Sequence, residues 1–192
     1  MTDPASAPDG EAMQRLRDGD DLALNELMDR WQKPILAYLY RTVGDYETAA
    51  DLAQEVFVRL YKSRRRYRSG GSFSAYLFTI ASNLARNHFR WKKRHPEAAL
   101  SETPIARLHG GETSPDPSVQ LERSEAGAEI KAAVQRLPEK LRQAVILFHF
   151  HELPQSEIAQ ILGCSEKSIE TRLYRAKKQL RSAFEKGDIS EA

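Results

Sequence analysis

The sequence predicts an all-α protein made of two small helical domains joined by a flexible linker, and three observations lead to this prediction. Apolar residues recur at spacings of three and four along most of the 192-residue chain, which is the period of an amphipathic helix. No stretch shows the sustained apolar alternation, flanked by turn pairs, that a β-sheet requires. The periodicity stops at about residues 95–124, which hold four of the nine prolines and the pair Gly110-Gly111. That composition is typical of an interdomain linker.

The first half of the chain predicts a helical domain over residues 15–94, preceded by a disordered lead at residues 1–14. The lead is rich in proline, alanine and aspartate and has no large apolar residue before Met13, so it offers little apolar surface to bury. A first helix is expected at about residues 22–42, where Pro34 should kink it or split it in two.

Two further helices complete this predicted domain. Asp45 is placed to cap a helix over about residues 46–63, and Ser72 is placed to cap the third helix. The third helix has an apolar stripe, which begins with Phe73, and an opposite face that is polar and basic. That face carries, at positions i, i+3, i+4 and i+7, the side chains of Asn83, Arg86, Asn87 and Arg90.

The small net charge of +2 conceals a strongly basic segment. No acidic residue occurs between Glu55 and Glu97, and residues 61–94 carry a net charge of +10. Such a run is often only a solvated face of the protein. Here, however, aromatic rings lie among the basic side chains, and aromatic rings can stack on nucleic-acid bases. The segment therefore predicts a polyanion-binding surface, with nucleic acid as the favoured partner. The interleaved rings belong to Tyr67, Phe73, Tyr76, Phe78, Phe89 and Trp91.

The second half of the chain predicts another helical domain, over residues 125–186, followed by a tail at residues 187–192. Its sharpest local signal is a short helix that ends at Gly163, followed at once by a helix that Ser165 can cap. This spacing is typical of a helix-turn-helix motif, although an ordinary helical hairpin with a basic surface would show it too. The second helix should face a DNA major groove with Ser168, Thr171, Arg172 and Arg175, and phosphate with Lys178.

The sequence offers little for catalysis, metal binding or membrane insertion. The single cysteine, Cys164, excludes an internal disulfide, and His149 and His151 lie two apart, so a helix would not bring them to one metal. The longest apolar run, residues 144–148, is far shorter than the roughly 20 residues of a membrane span. Phosphate-binding loops and common hydrolase motifs are absent. We therefore expect a cytoplasmic protein that is not an enzyme, with no cofactor, metal site or small-molecule substrate.

The two halves together resemble the extracytoplasmic-function (ECF) sigma factors, the small members of the primary-sigma (sigma-70) superfamily of bacterial RNA polymerase. DLAQEVFVRLY, residues 51–61, is similar to the family's core-binding segment, and residues 72–94 to its melting and minus-ten segments. Residues 137–181 are similar to the family's region 4. A match to one region alone would be weak evidence for the family, whereas matches to both regions in this order are specific to it. The resemblance implies that residues 15–94 form sigma region 2 and residues 125–186 form region 4.

The resemblance also implies partners and a role for each candidate site residue. The partners are core RNA polymerase, promoter DNA and an anti-sigma factor, which can hold a sigma factor at the membrane. The family's polymerase-docking surface corresponds to Asp51, Gln54 and Glu55. Its minus-ten surface corresponds to Tyr67, Ser72, Phe73, Asn83, Arg86, Asn87 and Arg90. Its minus-thirty-five surface corresponds to Ser168, Thr171, Arg172, Arg175 and Lys178.

The chain departs from the family pattern at three positions, so the resemblance does not transfer a promoter sequence. Tyr76 stands where the family commonly has Trp, Ser82 where it often has Arg, and Glu170 where a basic residue is frequent. Two other classes of protein remain open at this stage. A stand-alone helix-turn-helix repressor would need a dimer interface for paired half-sites. A DNA-modifying enzyme such as a recombinase would need a nucleophile with convergent basic or metal groups, and no such cluster is visible.

Overall fold

The computed structural model describes residues 7–67, 72–96 and 125–187, and every regular element in these ranges is helical. A first bundle consists of α1 (Ala7–Arg17), α2 (Leu22–Val43), α3 (Tyr46–Ser63), a short 3-10 turn (Arg64–Arg66) and α4 (Phe73–Arg94). A second bundle consists of α5 (Glu125–Arg136), α6 (Glu139–Val145), a π-helical turn (Ile146–Phe150), α7 (Gln155–Leu162) and α8 (Glu166–Gly187). The predicted all-α class is confirmed.

Helix α1 begins inside the segment that the sequence predicts as a disordered lead. Met13 and Leu16 are fully buried, and α1 packs mainly on α2. The prediction of disorder is therefore wrong for residues 7–14. Composition misled it, because a short helix with only two large apolar side chains can still be held by a surface that another helix provides. Residues 1–6 lie outside the described residues.

A buried carboxylate fixes α1 to α2. Asp9 is only 4% exposed, and the indole Nε1 of Trp31 donates a hydrogen bond to its Oδ2 over 3.0 Å. Arg30 Nη1 lies 3.0 Å from the other carboxylate oxygen, Oδ1. A charge that is buried to this degree is tolerated because it is paired and hydrogen-bonded.

The predicted caps are present at the helix starts. The Asp45 side chain accepts a hydrogen bond from the Thr48 backbone N–H at 2.9 Å, and Ser72 Oγ accepts one from Ala75 N–H at 3.3 Å. Pro34 does not split the first predicted helix, because α2 runs unbroken from Leu22–Val43 with this proline inside it. Gly44 then ends α2 in the left-handed conformation, with φ of +86°.

The core of the first bundle lies between α2, α3 and α4. Its largest fully buried side chains are Tyr38, Phe73, Phe78, Leu27, Ile35, Leu39, Leu60 and Leu77. The apolar stripes at helical spacing that the sequence shows therefore do face one another, as amphipathic helices require. Most of the predicted linker, residues 97–124, and the end of the predicted tail, residues 188–192, lie outside the described residues, so the domain limits remain predictions.

The second bundle packs directly on the first. Helix α7 lies against α4, where Ser74 Oγ donates to Glu157 Oε1 over 3.1 Å. Deeper in the same contact, Gln143 is 2% exposed and its Oε1 accepts from Ser82 Oγ at 2.8 Å. Ile158, with no exposed surface, belongs to the same buried cluster as the core of the first bundle. The two bundles thus share one continuous core.

Candidate nucleic-acid interface

The polar face of α4 is exposed as the sequence predicts. Asn83, Asn87 and Arg90 are exposed, while Arg86 is half-buried and its Nη1 donates to Asn83 Oδ1 over 3.2 Å. Helical spacing places these four side chains on one face, and the other faces of α4 are buried by the two bundles. The result is a row of amide and guanidinium donors on a helix that is firmly held.

Three other residues predicted at the minus-ten surface do not join this row. Tyr67 is 9% exposed and Phe73 is fully buried, and their rings pack edge to face with centroids 6.2 Å apart. Phe73 also packs against Trp31 at 6.0 Å. In this structure both rings are used in the core and not on the exposed row, because an aromatic ring beside a helix start is as suited to core packing as to stacking. Their contact with promoter DNA stays a prediction. Ser72 is occupied as the cap of α4.

A basic groove lies beside the row, between the end of α3 and the middle of α4. It encloses about 600 Å³. Its lining residues are Arg59, Lys62, Ser63, Arg65, Arg66, Tyr76, Ile80 and Asn83. Four of these lining residues are cations, and none of the four is among the predicted site residues. The absence of acidic residues between Glu55 and Glu97 is the feature of the sequence that indicates them. Because Asn83 lines the groove too, the row and the groove form one surface.

The patch predicted to dock on polymerase lies on α3, away from its buried stripe. Asp51 and Gln54 are exposed, and Glu55 is half-buried. Glu55 Oε1 accepts a hydrogen bond from Arg59 Nε at 2.8 Å, and this bond lowers the pKa of Glu55. The patch therefore presents a fixed carboxylate beside a polar amide and a second carboxylate.

The helix-turn-helix prediction agrees with the geometry of α7 and α8. Gly163 makes the turn with φ of +63°, and Ser165 Oγ accepts a hydrogen bond from Ser168 N–H at 3.3 Å. Ile169 and Ala176 are fully buried and fix the inner face of α8. On its outer side Thr171, Arg175 and Lys178 are exposed, whereas Ser168 and Arg172 are half-buried.

The two polar helices meet at a pocket between the bundles. It encloses about 470 Å³ and is lined by Arg86 and Arg90 of α4, Arg172 of α8, and the side chains of Glu139, Lys140, Gln143 and Leu162 together with Gly163. Burial raises the pKa of Glu139, although the surrounding cations oppose that shift. One carboxylate among four cations leaves a net positive pocket, so the two predicted DNA surfaces converge there.

Other kinds of site find little support in the part of the chain that the structure describes. No group of three or more metal-ligating side chains occurs there. His149 is exposed, whereas His151 packs its ring against Tyr38 and Phe78, with centroids 5.9 and 4.7 Å away. Cys164 is half-buried in the turn of the motif. No described helix combines the length and the apolarity that crossing a bilayer requires.

Comparison with known proteins decides the family. The model of Sigma-70 region 2 matches residues 27–95, and that of Sigma-70, region 4 matches residues 127–180. The ECF RNA polymerase sigma factor SigE of Mycolicibacterium smegmatis is 30% identical over 187 residues, which cover 96% of this chain and 71% of SigE. The chain belongs to the ECF sigma factors. Its function is therefore that of an RNA polymerase sigma factor in transcription initiation.

Further relatives agree with this assignment. The RNA polymerase sigma-H factor of Pseudomonas aeruginosa is 29% identical over 181 residues, covering 92% of this chain and 94% of that protein. CnrH, solved in complex with the cytosolic domain of CnrY, matches with a TM-score of 0.68 at 22% identity, covering 93% of this chain and 97% of CnrH. The sigma factor RpoE, solved with the anti-sigma factor NepR from Bartonella quintana, matches with a TM-score of 0.63 at 21% identity over 84% of this chain and 96% of RpoE. At these identities the two structures show a shared fold.

Proposed function

We propose that the two bundles divide the work of an ECF sigma factor between them. The first bundle binds core RNA polymerase through α3 and meets the minus-ten element through α4, while the second bundle meets the minus-thirty-five element through α8. The observation that carries this proposal is the continuous basic surface formed by the groove and the row Asn83, Arg86, Asn87 and Arg90. A strand that leaves the duplex needs such a surface, because it carries phosphates that cations can neutralise.

The proposed polymerase contact is the patch of Asp51, Gln54 and Glu55. Replacing Gln54 and Glu55 by alanine should weaken binding to core polymerase without unfolding the protein, because exposed substitutions usually cost less than about 0.5 kcal/mol of stability. Affinity for fluorescently labelled core measures the effect. A matched control is Glu47→Ala, an exposed carboxylate in the first turn of α3. Equal affinities for the double variant, the control and the wild type would remove the patch from the proposal.

The two DNA surfaces should fail in different ways when each loses its donors. Alanine at Asn83 and Asn87 should leave initial duplex binding by holoenzyme largely intact and reduce promoter opening. Alanine at Arg172 and Arg175 should weaken the initial complex by about 1–3 kcal/mol for each residue that makes a bidentate base contact. Filter binding measures the first step and permanganate footprinting the second, on one promoter. If both pairs lowered the two steps in the same ratio, the division of work would be wrong.

The closed arrangement of the bundles does not suit a promoter. Arg86 and Arg90 share one pocket with Arg172, so the two proposed DNA surfaces lie side by side, whereas the two promoter elements are separate stretches of DNA. The second bundle must therefore move away from α4 before the two surfaces meet two separate DNA elements. It follows that the free protein should bind promoter DNA weakly, and a nanomolar complex of free protein with duplex promoter at physiological salt would contradict this.

The remaining partners follow from this role. An anti-sigma factor is the proposed regulator. Two proteins of the same fold support this: RpoE was solved with the anti-sigma factor NepR, and CnrH with the cytosolic domain of CnrY. Polymerase and promoter are found in the cytoplasm, so the protein is proposed to act there, with the anti-sigma factor able to hold it at the membrane. We assign it no reaction of its own, because its role is to bind polymerase and select DNA. The linker at residues 95–124 and the flanking domain limits are part of the same proposal.

A further inference from the structure

The structure separates the six aromatic rings of the basic segment by what each ring touches. Tyr67, Phe73 and Phe78 are buried in the core of the first bundle. Tyr76 and Phe89 are half-buried and pack against the same core. Tyr76 Oη is also hydrogen-bonded to Ser63 Oγ at 2.7 Å. Five of the six rings thus have a structural use.

The sixth ring, Trp91, is 42% exposed and lies in the last turn of α4. Its indole is stacked on the imidazole of His95, with centroids 5.0 Å apart and an interplanar angle of 26°. Every other ring pair in the described ranges is edge to face. Because His95 covers one face of the indole, the opposite face is the one on which a base would stack.

The stacked pair is held in place by the end of α4. Both the backbone N–H and the ring Nδ1 of His95 lie 3.0 Å from the carbonyl oxygen of Trp91. The imidazole is therefore fixed under the indole before any ligand arrives, which lowers the entropy that binding would cost. By contrast, the other tryptophan of the chain, Trp31, uses its Nε1 on Asp9 and packs against Phe73 and Phe78.

Trp91 also continues the exposed row of α4. Asn83, Asn87 and Trp91 are spaced four residues apart, so they follow one another along the same face of the helix. Eight residues of helix place Trp91 about 12 Å beyond Asn83, so the two side chains would meet different nucleotides of one strand. The basic side chains beside Trp91 are all exposed, and they belong to Arg90, Lys92, Lys93 and Arg94.

We infer that Trp91, backed by His95, is a stacking platform for an unpaired base of promoter DNA, at the end of the α4 row. This inference rests on the proposed function and adds a residue to it. A single strand is the favoured occupant because duplex bases are already stacked on one another, whereas a flat ring among cations suits a strand whose bases are free. The platform lies about 12 Å along α4 from Asn83.

The test uses the full chain with Trp31→Phe, which leaves Trp91 as its single tryptophan; Arg30 still pairs with Asp9 in that variant. The probes are a single-stranded DNA 12-mer of mixed sequence and the same sequence as a duplex, at low salt. The single strand should quench Trp91 fluorescence. The anisotropy of fluorescein-labelled DNA measures the affinity of every variant, because the Trp91 variants have lost the fluorescent side chain. Trp91→Ala should lower affinity for the single strand about tenfold and for the duplex less than twofold, while Trp91→Phe should stay within about threefold of the wild type.

A matched control is Lys93→Ala, which removes a charge from the same turn. It should weaken single strand and duplex alike and reduce the salt slope for single-stranded DNA by about 0.7, whereas Trp91→Ala should leave that slope unchanged. Trp91→Ala binding the single strand within twofold of the wild type, with Asn83→Ala and Arg86→Ala weakened, would overturn the platform and leave the proposed function standing. If all of these variants bound DNA like the wild type, both the stacking platform and the proposed minus-ten role of α4 would be wrong.

Discussion

The two helices that carry the proposed DNA contacts are held in different ways. Helix α4 is buried on two sides: Phe73, Leu77 and Leu84 face the core of the first bundle, and Ser82 meets the second bundle through Gln143. Among the described side chains of α8, only Ile169 and Ala176 are buried. Helix α4 is thus clamped between the bundles, whereas α8 is held on one side.

This difference indicates which part of the molecule has to change when DNA binds. The inner side of α8 is supported within its own bundle, where Ala176 clusters with Leu137, Leu141 and Val145. Helix α8 can therefore leave α4 together with its bundle and keep its own support. The contact between the bundles combines apolar side chains such as Ile158 with a few polar bonds and the ring of His151, and it is this contact that must open.

The largest expected effect is on the core packing that holds α4 in the first bundle. Phe73→Ala should lower the free energy of unfolding of the first bundle by about 3–5 kcal/mol, because it removes a fully buried ring and leaves a cavity beside Trp31 and Tyr67. Urea unfolding followed by circular dichroism measures this loss. Phe73→Leu is the control: it should keep much of the stability and, at low temperature, all of the DNA affinity. If Phe73→Ala left stability unchanged and lost DNA binding, Phe73 would be a DNA contact after all.

The contact between the bundles should weaken in mild acid. Burial, with Arg41 as the nearby charge, lowers the pKa of His151 from 6.5 to about 4. The histidine is therefore neutral when docked and takes up a proton more readily when the bundles separate. Docking should be fully present above about pH 6.5 and lose stability as the pH falls toward 4, by about 3 kcal/mol at 1.36 kcal/mol for each pKa unit.

The radius of gyration from small-angle X-ray scattering, measured against pH, detects this opening. His151→Phe should keep the ring contacts with Tyr38 and Phe78 and remove the dependence between pH 6.5 and 4. An equal expansion of the wild type and His151→Phe over that range would show that another group controls docking.

The next effect concerns the buried amide of the same contact. Gln143→Leu should weaken docking by about 1–3 kcal/mol, because the fully buried Ser82 hydroxyl loses its acceptor. Gln160→Leu makes the same change at an exposed position of α7 and should have little effect. The free Gln143→Leu protein should expand in solution and bind duplex promoter more tightly than the wild type. Tighter docking, or an equal effect from the control, would contradict this reading of the contact.

Sequence patterns predicted most of the helices because most of them show an apolar period of their own and several have a recognisable residue at one end. Asp45, Ser72 and Gly163 could be assigned to helix ends from their neighbours alone. The contact between the bundles could not be predicted, because Gln143 and Ser82 lie 61 residues apart and nothing local marks them as partners. The burial of Phe73 agrees with its place on the apolar stripe of α4, whereas the burial of Tyr67 could not be predicted, because a ring beside basic residues looks alike in sequence whether it faces DNA or the core.

The smallest effect tests where the end of α2 meets the second bundle. Gly44 adopts φ of +86°, and a Cβ there would lie 2.9 Å from Gln135 Oε1. Gly44→Ala should cost about 1–2 kcal/mol of stability for the left-handed backbone, and it should also push aside the Gln135 amide, whose Nε2 donates to the Arg41 carbonyl over 2.6 Å. In a Gln135→Ala background only the backbone cost should remain. Additive effects of the two substitutions in a double-mutant cycle would show that the amide does not sense this glycine.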